Sequence, residues 1–337
     1  MMNRNAIQVS IIMASYNAEE FIGESIESVL AQTFTDFELI IVDDGSKDST
    51  RVIIEEYKKK DARIVSIYKD NSGPSDARNC ALAVARGKYI AILDSDDISV
   101  SDRIVRQYQF MEKHKDIVLV GSGCQTIDEY GKTIGNYEYH RSSKLLKNDL
   151  LKLRKFFPHS SAFYRRETAL EVGGYLRKLK QAEDYRLWLD LSQKGRISSI
   201  RGKLVKVRKH KSSLSYEFSG RNQNIHAMAI SVSYFVHQYS QKDPFVDYAP
   251  YELEEFVQWI DNKCLELGIY KTDEVLLEAK NVSSNCRCNI ARSLVPLMVL
   301  LKRGELVRVV GNKVLGSSYS RRLAKRWVIM YRSRSQS

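Results

Sequence analysis

Phe37-Glu38-Leu39-Ile40-Ile41-Val42-Asp43-Asp44-Gly45-Ser46 runs from an almost unbroken apolar stretch into two adjacent carboxylates and a turn. Six residues of that kind predict a strand buried on both faces, as in a parallel sheet covered by helices. Three further strand-like stretches flank it, at residues 8–13, 63–68 and 88–93. Segments of helical period lie between them, which is the pattern of repeated βαβ units. In the first, Asn17 is placed to cap a helix, with Glu20 three residues on and Phe21, Ile22, Ile26, Val29 and Leu30 as its apolar stripe. The second helix is expected to be capped near Ser46 or Asp48 and to carry Val52, Ile53 and Tyr57. The third is expected over 75–86, with Ala77, Leu82 and Ala83 facing inward.

Beyond this unit a helix is expected over 101–115, a strand over 117–120, and a helix over 181–194 with Tyr185, Leu187, Trp188 and Leu191 in period. A domain boundary is placed near residue 220. After it, 225–239, 251–267 and 272–291 read as helices, so 221–337 is expected to be a helical C-terminal region.

With 43% apolar and 28% charged residues and only 5 prolines, the chain has the composition of a folded globular protein, not of a disordered or collagenous one. Five scattered cysteines, one pair of them separated by a single residue, read as reduced thiols, since neither a disulfide framework nor a zinc knuckle has that spacing. No apolar leader precedes the first strand, and the late apolar run 294–301 falls far short of the roughly 20 residues of a spanning helix. A cytoplasmic protein is expected. The formal charge of +12 is concentrated at one end, because residues 287–337 hold 12 Lys or Arg against the single acid Glu305. Two readings of that tail stand side by side: an amphipathic segment on the inner face of a membrane, or a helix packed on the rest of the chain.

Two acidic clusters follow strands, Asp43-Asp44 after the second and Asp94-Ser95-Asp96-Asp97 after the fourth. In an open α/β sheet the ligand crevice lies beyond the carboxyl ends of the strands. Adjacent carboxylates repel one another, so a cation is expected among them. A hard divalent ion fits, because it takes carboxylate oxygens and keeps positions for phosphate. Asp residues that merely cap turns are the bland alternative for any one cluster. A P-loop and a dinucleotide fingerprint are both excluded by Thr126, which stands where each needs a glycine.

Several motifs together carry a resemblance. Residues 9–17 (VSIIMASYN), 28–34 (SVLAQTF) and 42–48 (VDDGSKD), then Gly73, Ala77-Arg78-Asn79, residues 87–90 (GKYI), Asp94-Ser95-Asp96-Asp97, Gly173-Gly174-Tyr175 and residues 183–189 (EDYRLWL) closely resemble family 2 glycosyltransferases of the GT-A fold. The likeness covers about residues 7–215. It implies an α/β, Rossmann-like, mainly parallel sheet with flanking helices, a nucleotide-binding half over 1–98 and an acceptor half over 99–220. It also implies inverting transfer of a sugar from a nucleotide-diphosphate donor, usually a UDP-sugar, with Mn2+ or Mg2+. By position, Ala14, Tyr16 and Glu19 would line the nucleotide pocket and Asp44 would read the base edge. Arg78, Asp94 and Ser95 would hold the nucleotide, Asp94 on the ribose side. Asp96, with His210, would hold the metal, and Asp184 would be the general base. His159 and Glu183 would lie on the acceptor side, and the acceptor would be a glycan, lipid-linked and bound for surface polysaccharide. Trp188, spaced with Leu187 and Leu191, reads as core.

A metal-dependent nucleotidyltransferase would want a glycine-rich basic first loop where Ala14-Ser15-Tyr16-Asn17 stands. A non-enzymatic nucleic-acid binder would want exposed aromatics interleaved with the basic residues, and only the tail is basic. No specific nucleic acid is expected as a partner.

Overall fold

The structure, a computed structural model, describes residues 7–141, 156–179 and 181–210, with further positions inside 143–150, 225–234 and 254–258. Four parallel strands, β1 (Val9–Ser15), β2 (Phe37–Asp43), β3 (Ile64–Tyr68) and β4 (Tyr89–Ile92), alternate with helices α1 (Ile22–Leu30), α2 (Thr50–Lys60) and α3 (Pro74–Val84). Every residue of β2 and β4 is buried, which is what their apolar runs require. β1 and β2 pair from Val9 opposite Phe37 to Ser15 opposite Asp43, so both strands end at one level and Asp44 emerges beside the loop after β1.

The chain continues through β5 (Ile98–Ser99), α4 (Arg103–Lys113), β6 (Ile117–Ile127), β7 (Thr133–Tyr137), a 3-10 turn at His159–Ser161, β8 (Phe163–Arg165), α5 (Arg166–Glu171), α6 (Glu183–Lys194) and β9 (Arg196–Arg208). Among the described residues one sheet runs in the order β3-β2-β1-β4-β8-β6-β9-β5, with β7 paired to β6. β8 is antiparallel to β4 and to β6, whereas β9 runs parallel to β6. A parallel first half therefore joins a mixed second half through the three residues of β8. The apolar core lies between β1, β2, β4 and α1, with Ile11, Met13, Ile22, Ile26, Val29, Leu39 and Ile41 nearly inaccessible.

Several local expectations are corrected. Asn17 does not cap α1. It adopts a left-handed conformation, and its side chain accepts the amide of Lys47 at 2.8 Å; α1 starts at Ile22. Asp48, not Ser46, serves α2, accepting the amide of Thr50 at 3.0 Å. Val52 is exposed and Ile54 takes the inward place. In α3, Ala81 faces the sheet and Ala83 faces outward. α4 and α6 are shorter than the stretches expected for them, while the strand expected over 117–120 runs on to Ile127. Trp188 is buried against Phe156 and Phe157, each at 5.0 Å between ring centroids, as its spacing requires. Cys80 is a free thiol.

The chain separates into two compact units, and every element above belongs to the first. Of the expected C-terminal helices, residues 225–227, 229–231, 233–234, 254–255 and 257–258 are helical. The stretch expected over 272–291 and the basic tail lie outside the described residues. Among the described residues no helix is long and apolar enough to cross a membrane.

Candidate active site

The site is built on the loops that leave the carboxyl ends of β1, β2 and β4. The first two loops are laced together: the amide of Ala18 donates to the Thr50 hydroxyl at 2.8 Å, that of Glu19 to Asp48 at 3.1 Å, and that of Ser49 to the Glu19 carboxylate at 2.8 Å. Glu19 thus holds the loop in place. Ala14 sits half-buried at the end of β1, and Tyr16, 51% exposed, projects just beyond it.

Asp44 is buried, and its carboxylate faces the start of α3. It accepts the amides of Ser72 at 3.1 Å and Gly73 at 2.8 Å, and the Lys69 ammonium at 2.7 Å. Helix α3 lacks a side-chain cap of its own, so a carboxylate from a neighbouring strand end satisfies the amides that precede it. Lys69 also reaches Asp76 at 3.1 Å.

Arg78 gathers the central acids. Its guanidinium donates to Asp94 at 3.0 Å and to Glu183 at 2.6 Å, and lies 5.6 Å from the centre of the Tyr175 ring. The Arg78 Nε is buried without a partner among the described residues. Asp94 is also 3.5 Å from His159 Nδ1, and the other ring nitrogen of His159 meets the Tyr175 hydroxyl at 2.9 Å. Burial alone would raise the Asp94 carboxyl, but His159 and Arg78 beside it hold it well below the usual carboxylate range. Asp184, in the first turn of α6, shows the opposite balance. Burial and the neighbouring Glu183 push its carboxyl above the usual value, and His159, the Tyr185 amide and Arg78 offset this only in part.

The adjacent motif residue, Asn79, explains why this cluster is rigid. Its side-chain amide donates to the carbonyl of Tyr175 at 2.7 Å and accepts the Tyr175 amide at 2.8 Å. Gly174, at φ 71°, passes so close that a Cβ there would meet the Asn79 oxygen at 2.5 Å. Residues 77–79 and 173–175, far apart in the chain, are therefore one interlocked unit that places Tyr175 under His159.

Asp96 stands apart from Arg78 and meets His210, with Oδ2 and Nε2 separated by 2.9 Å. Two ligand atoms bound side by side on an octahedral ion at about 2.1 Å each would lie about 3 Å apart, so the pair suits a divalent cation. Among the described residues no group of three His, Cys, Asp or Glu is arranged to hold an ion unaided, and the remaining positions would fall to phosphate oxygens and water. Ser95 lies between the two sets, and its carbonyl accepts the Ser25 hydroxyl at 2.9 Å. Asp97 is structural: it accepts the Arg208 amide at 2.8 Å and contacts the Ser160 hydroxyl, and burial with the charges of Asp96 and Asp94 pushes its carboxyl up.

The residues singled out in the sequence thus fall into four groups: Glu19 in the loop lattice, Asp44 at α3, and the separate Arg78 and Asp96 groups around the turn after β4. Sequence reading missed Asn79 as a brace, Ser160, which bonds Asp94 at 3.0 Å, and Arg208. The last sits in Arg208-Lys209-His210-Lys211, a run that looks like surface charge until β9 buries its first member.

An α/β sheet with clustered acids beyond the carboxyl ends of its parallel strands defines a class, and comparison with known proteins places the chain within it. The family model for glycosyl transferase family 2 matches residues 10–173. A putative teichuronic acid biosynthesis glycosyltransferase of Bacillus subtilis, TuaG, is 35% identical over 188 residues, which are 56% of this chain and 73% of TuaG. A glycosyltransferase of Methanocaldococcus jannaschii is 37% identical over 190 residues, 54% of this chain, and the match spans 63% of that relative's length. The chain belongs to glycosyltransferase family 2. S. aureus TarS residues 1–349, solved with UDP-GlcNAc, superimposes with a TM-score of 0.59 at 19% identity, over 95% of this chain and 89% of that one, which shows the shared fold.

Proposed function

We propose that this protein is an inverting glycosyltransferase that moves a sugar from a UDP-sugar to an acceptor hydroxyl on a glycan. The observation that carries this reading is the single guanidinium of Arg78, which holds Asp94 and Glu183 together beside a carboxyl, Asp184, whose environment raises its affinity for a proton. Inversion needs a base on one face of the sugar and stabilisation of the departing diphosphate on the other. Asp184 is the base: a carboxylate made more basic by burial accepts the acceptor's proton more readily. Arg78 takes up the Glu183 carboxylate in an ion pair at 2.6 Å, which leaves Asp184 to receive the proton. Asp94, held anionic, accepts from a ribose hydroxyl, and the unpartnered Arg78 Nε donates to the bound nucleotide. Tyr16 offers an exposed ring to the base, and Asp44 reads its edge while bracing α3. His159, tied to Tyr175, lines the acceptor side.

Asp96 and His210 would hold Mn2+ or Mg2+, whose charge would offset the one building on the leaving diphosphate. The fold shared with a protein solved with UDP-GlcNAc supports a uridine carrier, and the likeness to TuaG supports a surface-polysaccharide acceptor, lipid-linked at the inner membrane face. The basic segment beyond residue 290 would supply the peripheral contact with anionic lipid, and a chain truncated there should lose binding to anionic liposomes.

Incubating the chain with a panel of nucleotide sugars and Mn2+ tests the central reading. Slow hydrolysis of one UDP-sugar above all others is expected. Absence of hydrolysis and of binding across the panel would remove the donor site.

A further inference from the structure

Arg208 is the best-anchored charged side chain near the site, and nothing in the mechanism above uses it. Its side chain is 1% exposed at the end of β9. Nε donates to the carbonyl of Asp96 at 2.9 Å, one terminal nitrogen donates to the carbonyls of Asp128 at 3.3 Å and Glu129 at 3.1 Å, and the other pairs with Glu24 of α1. Its backbone amide donates to Asp97 at 2.8 Å. The guanidinium lies 4.8 Å from the centre of the Phe21 ring, and the same ring lies 4.6 Å from the ring of His210.

Resting on the donor-site reading above, we propose that Arg208 is the positioning residue for the cation end of the site, fixing Asp96 against His210. One planar fork joins four separate pieces of chain: α1, the turn after β4, the tip of the β6–β7 hairpin and the end of β9. All three of its nitrogens are used by the protein, so it cannot itself reach a diphosphate. It acts through others. Its bond to the Asp96 carbonyl sets the peptide that carries one ligand, and Phe21, in contact with both the guanidinium and the imidazole, sets the ring that carries the other. The 2.9 Å separation of Asp96 and His210 is a product of that frame. A lysine could not replace it, because a single ammonium on a flexible stem cannot span acceptors on three separate segments.

A purely structural arginine would affect melting and leave ligand affinities in proportion. A positioning arginine affects the metal-dependent part of binding alone. Calorimetric titration of the full chain with UDP, with and without Mn2+, separates the two, with free Mn2+ followed by its paramagnetic resonance and melting followed by circular dichroism. In Arg208→Lys we expect UDP affinity without Mn2+ to stay within about twofold of wild type, and the gain that Mn2+ gives wild type to fall by about 10-fold or more, as for other supports of metal ligands. Glu24→Gln removes one partner at the half-exposed end of the network and should lower that gain by about two- to fivefold. An Arg208→Lys chain that melts earlier yet keeps the whole Mn2+ gain would overturn the proposal. Should Arg208→Lys not fold, Glu24→Gln decides, and an unchanged gain overturns it. If wild type binds UDP no tighter with Mn2+, the donor-site reading fails first and takes this inference with it, an outcome distinct from a gain that the variants retain.

Discussion

The parallel half of the sheet and the mixed half are held by different forces, and the site lies where they meet. In the half built by β1 to β4, an apolar core lies between the sheet and α1, and polar ties such as the Glu19 and Asp48 lattice join neighbouring loops. Between that half and the one built by β5 to β9, the decisive ties are single polar side chains that span long stretches of sequence. Arg78 reaches Glu183, Asn79 reaches Tyr175, and Arg208 reaches back to Asp96 and Glu24. A lost apolar contact costs packing energy that grows with the atoms removed, whereas removing one partner of a polar bridge also leaves the other buried and unsatisfied. The parallel half therefore serves as platform, and the bridges bring the chemistry onto it.

The largest break should come from Asp184→Asn. It removes the base while leaving the α6 turn intact, and donor hydrolysis should fall by about 10² to 10⁴ with UDP binding unchanged. The pH profile of wild type sharpens the same point. Asp184 must be ionised to act, so activity is lost as pH falls through its folded-state pKa, and burial places that acid limb above the pH at which an ordinary aspartate, near 3.9, would put it. Next comes Arg78→Met. It leaves Asp94 and Glu183 without their shared cation, and chemical unfolding should show a loss of about 3 kcal/mol, together with weaker UDP binding.

Why the first half could be read more fully from sequence than the second follows from the same contrast. Continuous apolar runs such as residues 37–42 declare a strand buried on both faces wherever they stand, and an acid pair at the end of one declares a crevice. β9 has no such signal. Its thirteen residues, Arg196–Arg208, mix arginine and lysine with Ile, Leu and Val, and only pairing to β6 shows which of them are inside. Asp94, Asp96, Glu183, Asp184 and His210 were legible as members of motifs, and the structure joins Asp94 to Glu183 through Arg78 and Asp96 to His210. Their supports were not legible, because Asn79 and Arg208 act mainly through backbone groups and Ser160 through carboxylates on a distant loop, neither of which sequence locates. Asn17 misled for a related reason: its side chain finds Lys47 across a loop before it can cap the helix behind it.

Smaller effects refine the comparison. Asn79→Ala should cost about 1 to 3 kcal/mol by leaving the Tyr175 amide and carbonyl unsatisfied, and should slow donor hydrolysis as His159 loses its brace. The smallest change is expected from Glu112→Gln, in α4. Lys115, Lys88 and Tyr89 outweigh the effect of burial and hold the Glu112 carboxyl down at about 2. A depressed carboxyl contributes stability at pH above its unfolded value and loses it as pH falls toward 2, so wild type and variant should differ by less than about 1 kcal/mol at neutral pH and converge in acid.

The most direct test is a crystal structure of the chain with UDP and Mn2+. The account predicts the diphosphate and ion against Asp96 and His210, the ribose at Asp94, and Asp184 free on the far side of the sugar position. A nucleotide seated elsewhere, or Asp184 among the phosphate contacts, would contradict it.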